Sequence, residues 1–89
     1  MKHVFEVKVK NQLGIHTRPA TAIVKLLHRV KSNVIFTHKK DSINAKSILS
    51  ILMLALHQNA KLTITVEGED AQDVMEKLLQ GFETCFGEC

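Results

Sequence analysis

The segment Gly14-Ile15-His16-Thr17-Arg18-Pro19-Ala20 sets an imidazole and a guanidinium side by side. An apolar stripe follows at Ala20, Ile23, Val24 and Leu27, with i, i+3, i+4, i+7 spacing. That spacing predicts a helix starting near Thr17 or Arg18, with His16 just ahead of it. Pro19 then falls in the first turn, where its missing N–H costs nothing. A helix N-terminus carries partial positive charge and unpaired amides, here those of Thr17 and Arg18. It is a natural place for an anion. Arg18 adds a full charge and a planar fork suited to phosphate oxygens. Gly14 lets the backbone turn tightly ahead of the site. An imidazole in this place can attack phosphorus and form a phosphoramidate, whose N–P bond is easily broken again. The positive end of a helix disfavours a nearby cation, which suits a nucleophilic imidazole. Once the ring is phosphorylated, the same amides and Arg18 would receive the added charge. The plainer reading is a histidine N-cap beside a solvated charge. A lone His-x-Arg-Pro does not separate the two.

The elements that must position this segment are legible as patterns. Residues 3–10 alternate, with Phe5, Val7 and Val9 on one side and Glu6, Lys8 and Lys10 on the other, as in a half-buried strand. Asn11-Gln12-Leu13-Gly14 punctuates it. After the first helix, Ser32-Asn33 break the pattern, and Val34-Ile35-Phe36 reads as a second strand. His38-Lys39-Lys40-Asp41 is a polar turn, and Ile43 marks a short third strand. Ile48 to Leu56 is an apolar helical segment with Asn59 as its left-handed terminator. Leu62, Ile64 and Val66 alternate with Lys61, Thr63 and Thr65 in a fourth strand that ends at Gly68. Asp70 is the expected N-cap of the last helix, with Asp73 three residues on. Its stripe runs through Ala71, Val74, Met75, Leu78, Leu79, Phe82 and Phe86. The order β-α-β-β-α-β-α predicts an α+β two-layer sandwich. A four-stranded, mainly antiparallel sheet is covered by helices on one face. Residues 1–89 read as a single domain.

The chain has 89 residues, 45% hydrophobic and 24% charged, which suits a packed globular domain and argues against disorder. A membrane-spanning helix needs ~20 apolar residues; the run from Ile48 to Leu56 is far shorter, so no membrane insertion is expected. Met1-Lys2-His3-Val4-Phe5 has no apolar core of a leader, so no secretory signal and a cytoplasmic location are expected. Cys85 and Cys89 cannot make a disulfide framework. They read as incidental thiols on the last helix, leaving a monomer held by packing alone.

The net charge is +3 and the sequence pI about 9.0, with the basic excess ahead of Asp41. That suits a phosphate or an acidic partner. It also admits a nucleic-acid-binding sandwich, but four Phe with no Tyr or Trp cannot readily build a base-stacking sheet. No Cys-x-x-Cys loop supports a metal chaperone, and no Cys/His spacing predicts a metal site. No Walker sequence supports autonomous nucleotide chemistry, and no cofactor is expected. His3, His28, His38 and His57 lack converging partners and read as bystanders.

The segment Asn11-x-Leu-Gly-Ile-His16-Thr-Arg18-Pro19-Ala20 resembles the active-site segment of the histidine-containing phosphocarrier (HPr) family of the phosphoenolpyruvate-dependent sugar phosphotransferase system. Asn44-Ala45-Lys46-Ser47-Ile48-Leu49-Ser50-Ile51-Leu52 is similar to that family's regulatory serine region. Gly68-Glu69-Asp70-Ala71 with the long last helix also fits. The resemblance covers essentially the whole chain. It implies a carrier rather than an enzyme, taking a phosphoryl group from phosphorylated Enzyme I and passing it to sugar-specific Enzyme IIA-type proteins. It implies that His16 is the phosphoryl acceptor through Nδ1, that Arg18 guides the group, and that Pro19 shapes the helix start. Thr17 stands where the family more often has Ala or Ser. Ser47 matches a serine that a dedicated kinase phosphorylates and a phosphorylase can clear. Ile48, Leu49 and Leu52, rimmed by Lys46, match the docking surface. A glycine common after the second helix is absent, and Asn59 is expected to take its left-handed role. Asn11-Gln12-Leu13-Gly14 and Gly81-Phe82-Glu83 also resemble the nitrogen-branch regulatory paralogue.

Overall fold

A computed structural model describes residues 1–89. The strands are β1 (Lys2–Lys8), β2 (Asn33–His38), β3 (Asp41–Asn44) and β4 (Lys61–Glu67). The helices are α1 (Thr17–Leu27), α2 (Ile48–Met53) and α3 (Ala71–Glu83). The sheet order is β1-β4-β2-β3, and every pairing is antiparallel. Alternation does what it predicts: Val7, Val34, Phe36, Leu62, Ile64 and Val66 are buried, while Val4 and Glu6 face out. The helices bury Ala20, Ile23, Leu27, Ile51, Val74, Leu78 and Phe82. Phe82 meets Phe36 edge-on at 6.0 Å, joining α3 to the sheet.

Two helix ends depart from expectation. Helix α2 ends at Met53 rather than Leu56, and Ala55 (φ 52°), not Asn59, makes the left-handed exit. The early turn drops Leu56 into the core, where its carbonyl accepts the Ile15 N–H at 2.9 Å. Asn59 is left-handed too (φ 73°), but it serves the turn into β4, donating its N–H to the Val9 carbonyl at 2.7 Å. The last helix stops at Glu83, so Phe86 leaves the helical stripe. Cys85 and Cys89 are not incidental thiols on that helix: they form a disulfide across a turn beyond it. Packing is therefore joined by one covalent link, made possible by a turn that brings their Cα atoms to 5.2 Å.

Asp70 sits at the N-cap of α3, but its carboxylate does not cap it. It accepts instead from the Lys31 and Ser32 amides, at 2.9 Å each, and from the Ser32 hydroxyl. Those donors lie in the turn between α1 and β2, and three of them outcompete one helix amide. The Ser32 hydroxyl, then the Lys31 amide, pull the Asp70 carboxyl down from 3.8 to about 2. A carboxyl depressed in the folded state stabilises the fold above its unfolded value, and that contribution is lost as pH falls from about 4 to about 2. Asp70→Asn should therefore lower stability at neutral pH and flatten the acid limb of an unfolding curve over that window. An acid limb identical to wild type would show that the turn is held by other means.

Candidate functional site

His16 is the N-cap of α1, in extended backbone (φ −84°, ψ −164°), and its carbonyl takes the first helical bond from Ala20 at 3.0 Å. Its side chain caps nothing and is 37% exposed. The loop before it is pinned at two points. Gly14 N–H donates to the Asn11 carbonyl, and Ile15 N–H to that of Leu56. Gly14 has φ +70°, and a Cβ there would lie 2.2 Å from the Leu56 carbonyl oxygen. Only glycine can carry the chain past α2's exit and still deliver His16 to the helix end. Pro19 is buried in the first turn, and the Thr17 and Arg18 amides are left without an acceptor in the chain. The Thr17 carbonyl accepts from the Thr21 hydroxyl at 2.8 Å, and its own side chain is exposed.

The structure adds a residue that the sequence analysis missed. The Glu88 Oε1 lies 2.8 Å from His16 Nε2, and Oε2 accepts from Arg18 at 3.3 Å. One carboxylate thus touches both the His16 and the Arg18 side chains. Nε2 faces the Glu88 carboxylate, whose charge favours a proton on that nitrogen, and Nδ1 has no partner in the chain. Nδ1 is then the nitrogen with a free lone pair. The signal was in the tail, where Cys85-x-x-x-Cys89 and Gly87 enclose Glu88. It is unreadable without knowing that the tail folds back.

Ser47 is the N-cap of α2, its hydroxyl accepting the Ser50 N–H at 3.2 Å. The Lys46 ammonium donates to the Val30 carbonyl at 2.8 Å, which ties the end of α1 to the start of α2. Ile48 (37%) and Leu49 (65%) are exposed on α2; Leu52 is half-buried against the core. Met53 (75%) and Leu13 (80%) are exposed apolar residues that the sequence analysis did not single out. No helix is long and apolar enough to cross a membrane.

A family model described as the PTS HPr component phosphorylation site matches residues 4–84. The chain is 42% identical to a phosphocarrier protein HPr of Chlamydia pneumoniae over 80 residues, 90% of this chain and 74% of that one. It is 34% identical to the Xylella fastidiosa (strain Temecula1) HPr over 83 residues, 93% of each. The HPr-C-His crystal structure from Thermoanaerobacter tengcongensis superposes with a TM-score of 0.92 at 29% identity, covering 98% of both chains. HPr phosphocarrier proteins are carriers rather than catalysts. With the resemblance over the whole sandwich and a histidine presented at a helix start, the chain belongs to the HPr phosphocarrier family of the phosphotransferase system.

Proposed function

We propose that residues 1–89 act as one cytoplasmic, monomeric phosphocarrier domain. It accepts a phosphoryl group from phosphorylated Enzyme I on His16 Nδ1 and hands it to sugar-specific Enzyme IIA-type proteins. It has no catalytic turnover of its own. The observation that carries this reading is a half-exposed imidazole at the start of α1, with Nδ1 unpartnered and Arg18 beside it. As the group arrives, the free amides of Thr17 and Arg18 and the Arg18 guanidinium supply donors for its oxygens. Pro19 stiffens that turn. Because the N–P bond is labile, the same arrangement permits release to the next acceptor. The Asn11-Gln12-Leu13-Gly14 loop and Gly81-Phe82-Glu83 keep a second reading open, the nitrogen-branch regulatory carrier. Reconstitution with phosphoenolpyruvate and either a sugar-branch or a nitrogen-branch Enzyme I separates them. We expect faster labelling by the sugar-branch enzyme, and the reverse order would assign the regulatory branch.

Arg18→Ala should slow transfer without stopping it. A charged contact to phosphate is worth ~1.5–3 kcal/mol, so a roughly tenfold to hundredfold loss is expected. The side chain is 83% exposed, so thermal stability should hardly change. A transfer rate equal to wild type would reduce Arg18 to a solvated charge.

Ile48 and Leu49, with Leu52 half-buried beneath them and Lys46 at the margin, are proposed to dock Enzyme I through an exposed apolar surface. Ser47, at the head of that helix, is proposed as a target of a serine kinase and phosphorylase. A helix start tolerates a negative charge, so the fold should survive it. Docking should not, because the charge must be desolvated against an apolar partner. Ser47→Asp should raise the apparent KM for phosphorylated Enzyme I. Ser47→Ala should transfer normally and lose only the cap, about 1 kcal/mol of stability. Equal kinetics for the two variants would leave Ser47 as a cap alone.

A further inference from the structure

We propose that Glu88 is a positioning residue for phosphoryl transfer, set on Nε2 of His16 by a C-terminal turn that the Cys85–Cys89 disulfide closes. The proposal rests on the phosphocarrier reading of His16 and adds to it what holds the imidazole and what places that holder.

Cys85, Phe86 and Gly87 have φ of 56°, 50° and 85°, three left-handed residues in succession, two of them not glycine. Ordinary residues adopt that geometry only where their surroundings impose it. Three contacts impose it here. The disulfide joins Cys85, the first residue of the turn, to Cys89. Buried Asn11 donates its Nδ2 to the Cys85 carbonyl at 3.0 Å, anchoring the turn to the loop that precedes His16. Phe86 meets Phe82 edge-on at 4.9 Å and lies over Gly81, where a Cβ would come within 2.2 Å of the Phe86 ring. Glu88 lies inside the disulfide-closed turn, with only 21% of its side chain exposed. Arg18, which it also holds, is 83% exposed and has no other partner.

The chemistry follows from which nitrogen is held. A carboxylate oxygen 2.8 Å from Nε2 favours the ring proton on that nitrogen, which leaves the Nδ1 lone pair free. When Nδ1 attacks, the N–P bond forms and the bond from phosphorus to the donor breaks, its electron pair leaving with the donor. The ring becomes a phosphorylated imidazolium, and no proton leaves Nε2. The positive charge that develops on the ring faces a carboxylate already at 2.8 Å. Arg18 can release Oε2 and turn to the phosphoryl oxygens while Glu88 stays on Nε2. Placement depends on the redox state. A dithiol supplies two electrons and two protons, the Sγ–Sγ bond breaks to two thiols, and the dithiol becomes a disulfide. The turn then loses the link that joins its two ends.

The test uses the oxidised chain with Glu88→Gln, Glu88→Ala and Cys89→Ser; Cys89 is exposed, so its replacement leaves the core alone. Two readouts are taken. One is the tautomer of the His16 ring, from long-range proton–nitrogen NMR. The other is the initial rate of phosphoryl acceptance from phosphorylated Enzyme I. Wild type should hold the Nε2–H tautomer. Glu88→Gln should keep it, since the amide oxygen still accepts, but slow transfer by about tenfold because a neutral acceptor lacks the charge. Glu88→Ala should lose the tautomer preference as well. Cys89→Ser, or wild type treated with dithiothreitol, should move both readouts toward Glu88→Ala. Transfer in Glu88→Gln or Glu88→Ala at or above the wild-type rate would overturn the proposal and make Glu88 a competitor for Arg18. Ring signals unmoved by reduction would overturn the role of the disulfide. If the oxidised wild type is not labelled at all, the phosphocarrier reading fails, while the ring tautomers still decide whether Glu88 positions the imidazole.

Discussion

His16→Ala is expected to abolish phosphoryl acceptance completely while leaving the chain folded. In the proposed function the His16 imidazole, through Nδ1, is the phosphoryl acceptor, so its removal takes away the nucleophile. The structural cost is small for three reasons. The side chain is 37% exposed. It makes no capping bond to the helix it precedes. Its one polar contact is to Glu88, at a partly solvated surface. Surface changes of this kind shift stability by less than about 1 kcal/mol. Thermal unfolding should therefore resemble wild type when labelling from phosphorylated Enzyme I is nil. Undiminished labelling of His16→Ala would place the accepting group elsewhere.

Gly14→Ala should have the largest effect on stability of any single methyl added near the site. Two penalties act together. Alanine at φ +70° is in the left-handed region, and its Cβ would stand 2.2 Å from the Leu56 carbonyl oxygen and 3.1 Å from the His57 Cα. Both neighbours are backbone, so no side chain can swing away. Relief requires the loop to move, which breaks the 2.9 Å bond from Ile15 N–H to that same carbonyl. We expect a loss of about 2–4 kcal/mol in urea unfolding, in the range of steric and backbone-strain mutants. Because His16 follows two residues later, transfer should fall with stability even at temperatures where the variant is folded. A Gly14→Ala chain with a wild-type urea midpoint would mean that the loop is looser than its contacts imply.

The parts of the fold that depend on period were legible. Ala20, Ile23 and Leu27 are buried at the spacing that announced α1, and β4 alternates as Leu62, Ile64 and Val66 require. Ser47, just ahead of the apolar run, has the residue type of a cap and caps α2. What escaped was decided by tertiary competition. Asp70 has the position and type of a cap, but the Lys31–Ser32 turn offers its carboxylate three donors at once. Ala55 has no intrinsic preference for a left-handed conformation; it adopts one because Leu56 must reach the core and the Ile15 amide. Phe86 continues the spacing of Leu78 and Phe82, so it looks helical. It nevertheless packs on Phe82 from a turn of opposite hand. That reversal carries Glu88 to the site, so the residue touching both His16 and Arg18 was the one that sequence reasoning could not reach.

The central claim is that this chain holds one labile phosphoryl group on His16. The most direct measurement incubates the purified chain with phosphoenolpyruvate and Enzyme I, then reads intact mass before and after mild acid. Peptide mapping then locates the group. A gain of a single phosphoryl group, lost in acid, stable in base and mapped to His16, is the predicted result. A chain that gains no mass, or one whose added phosphate survives acid and maps to Ser47 or another hydroxyl, would contradict the account.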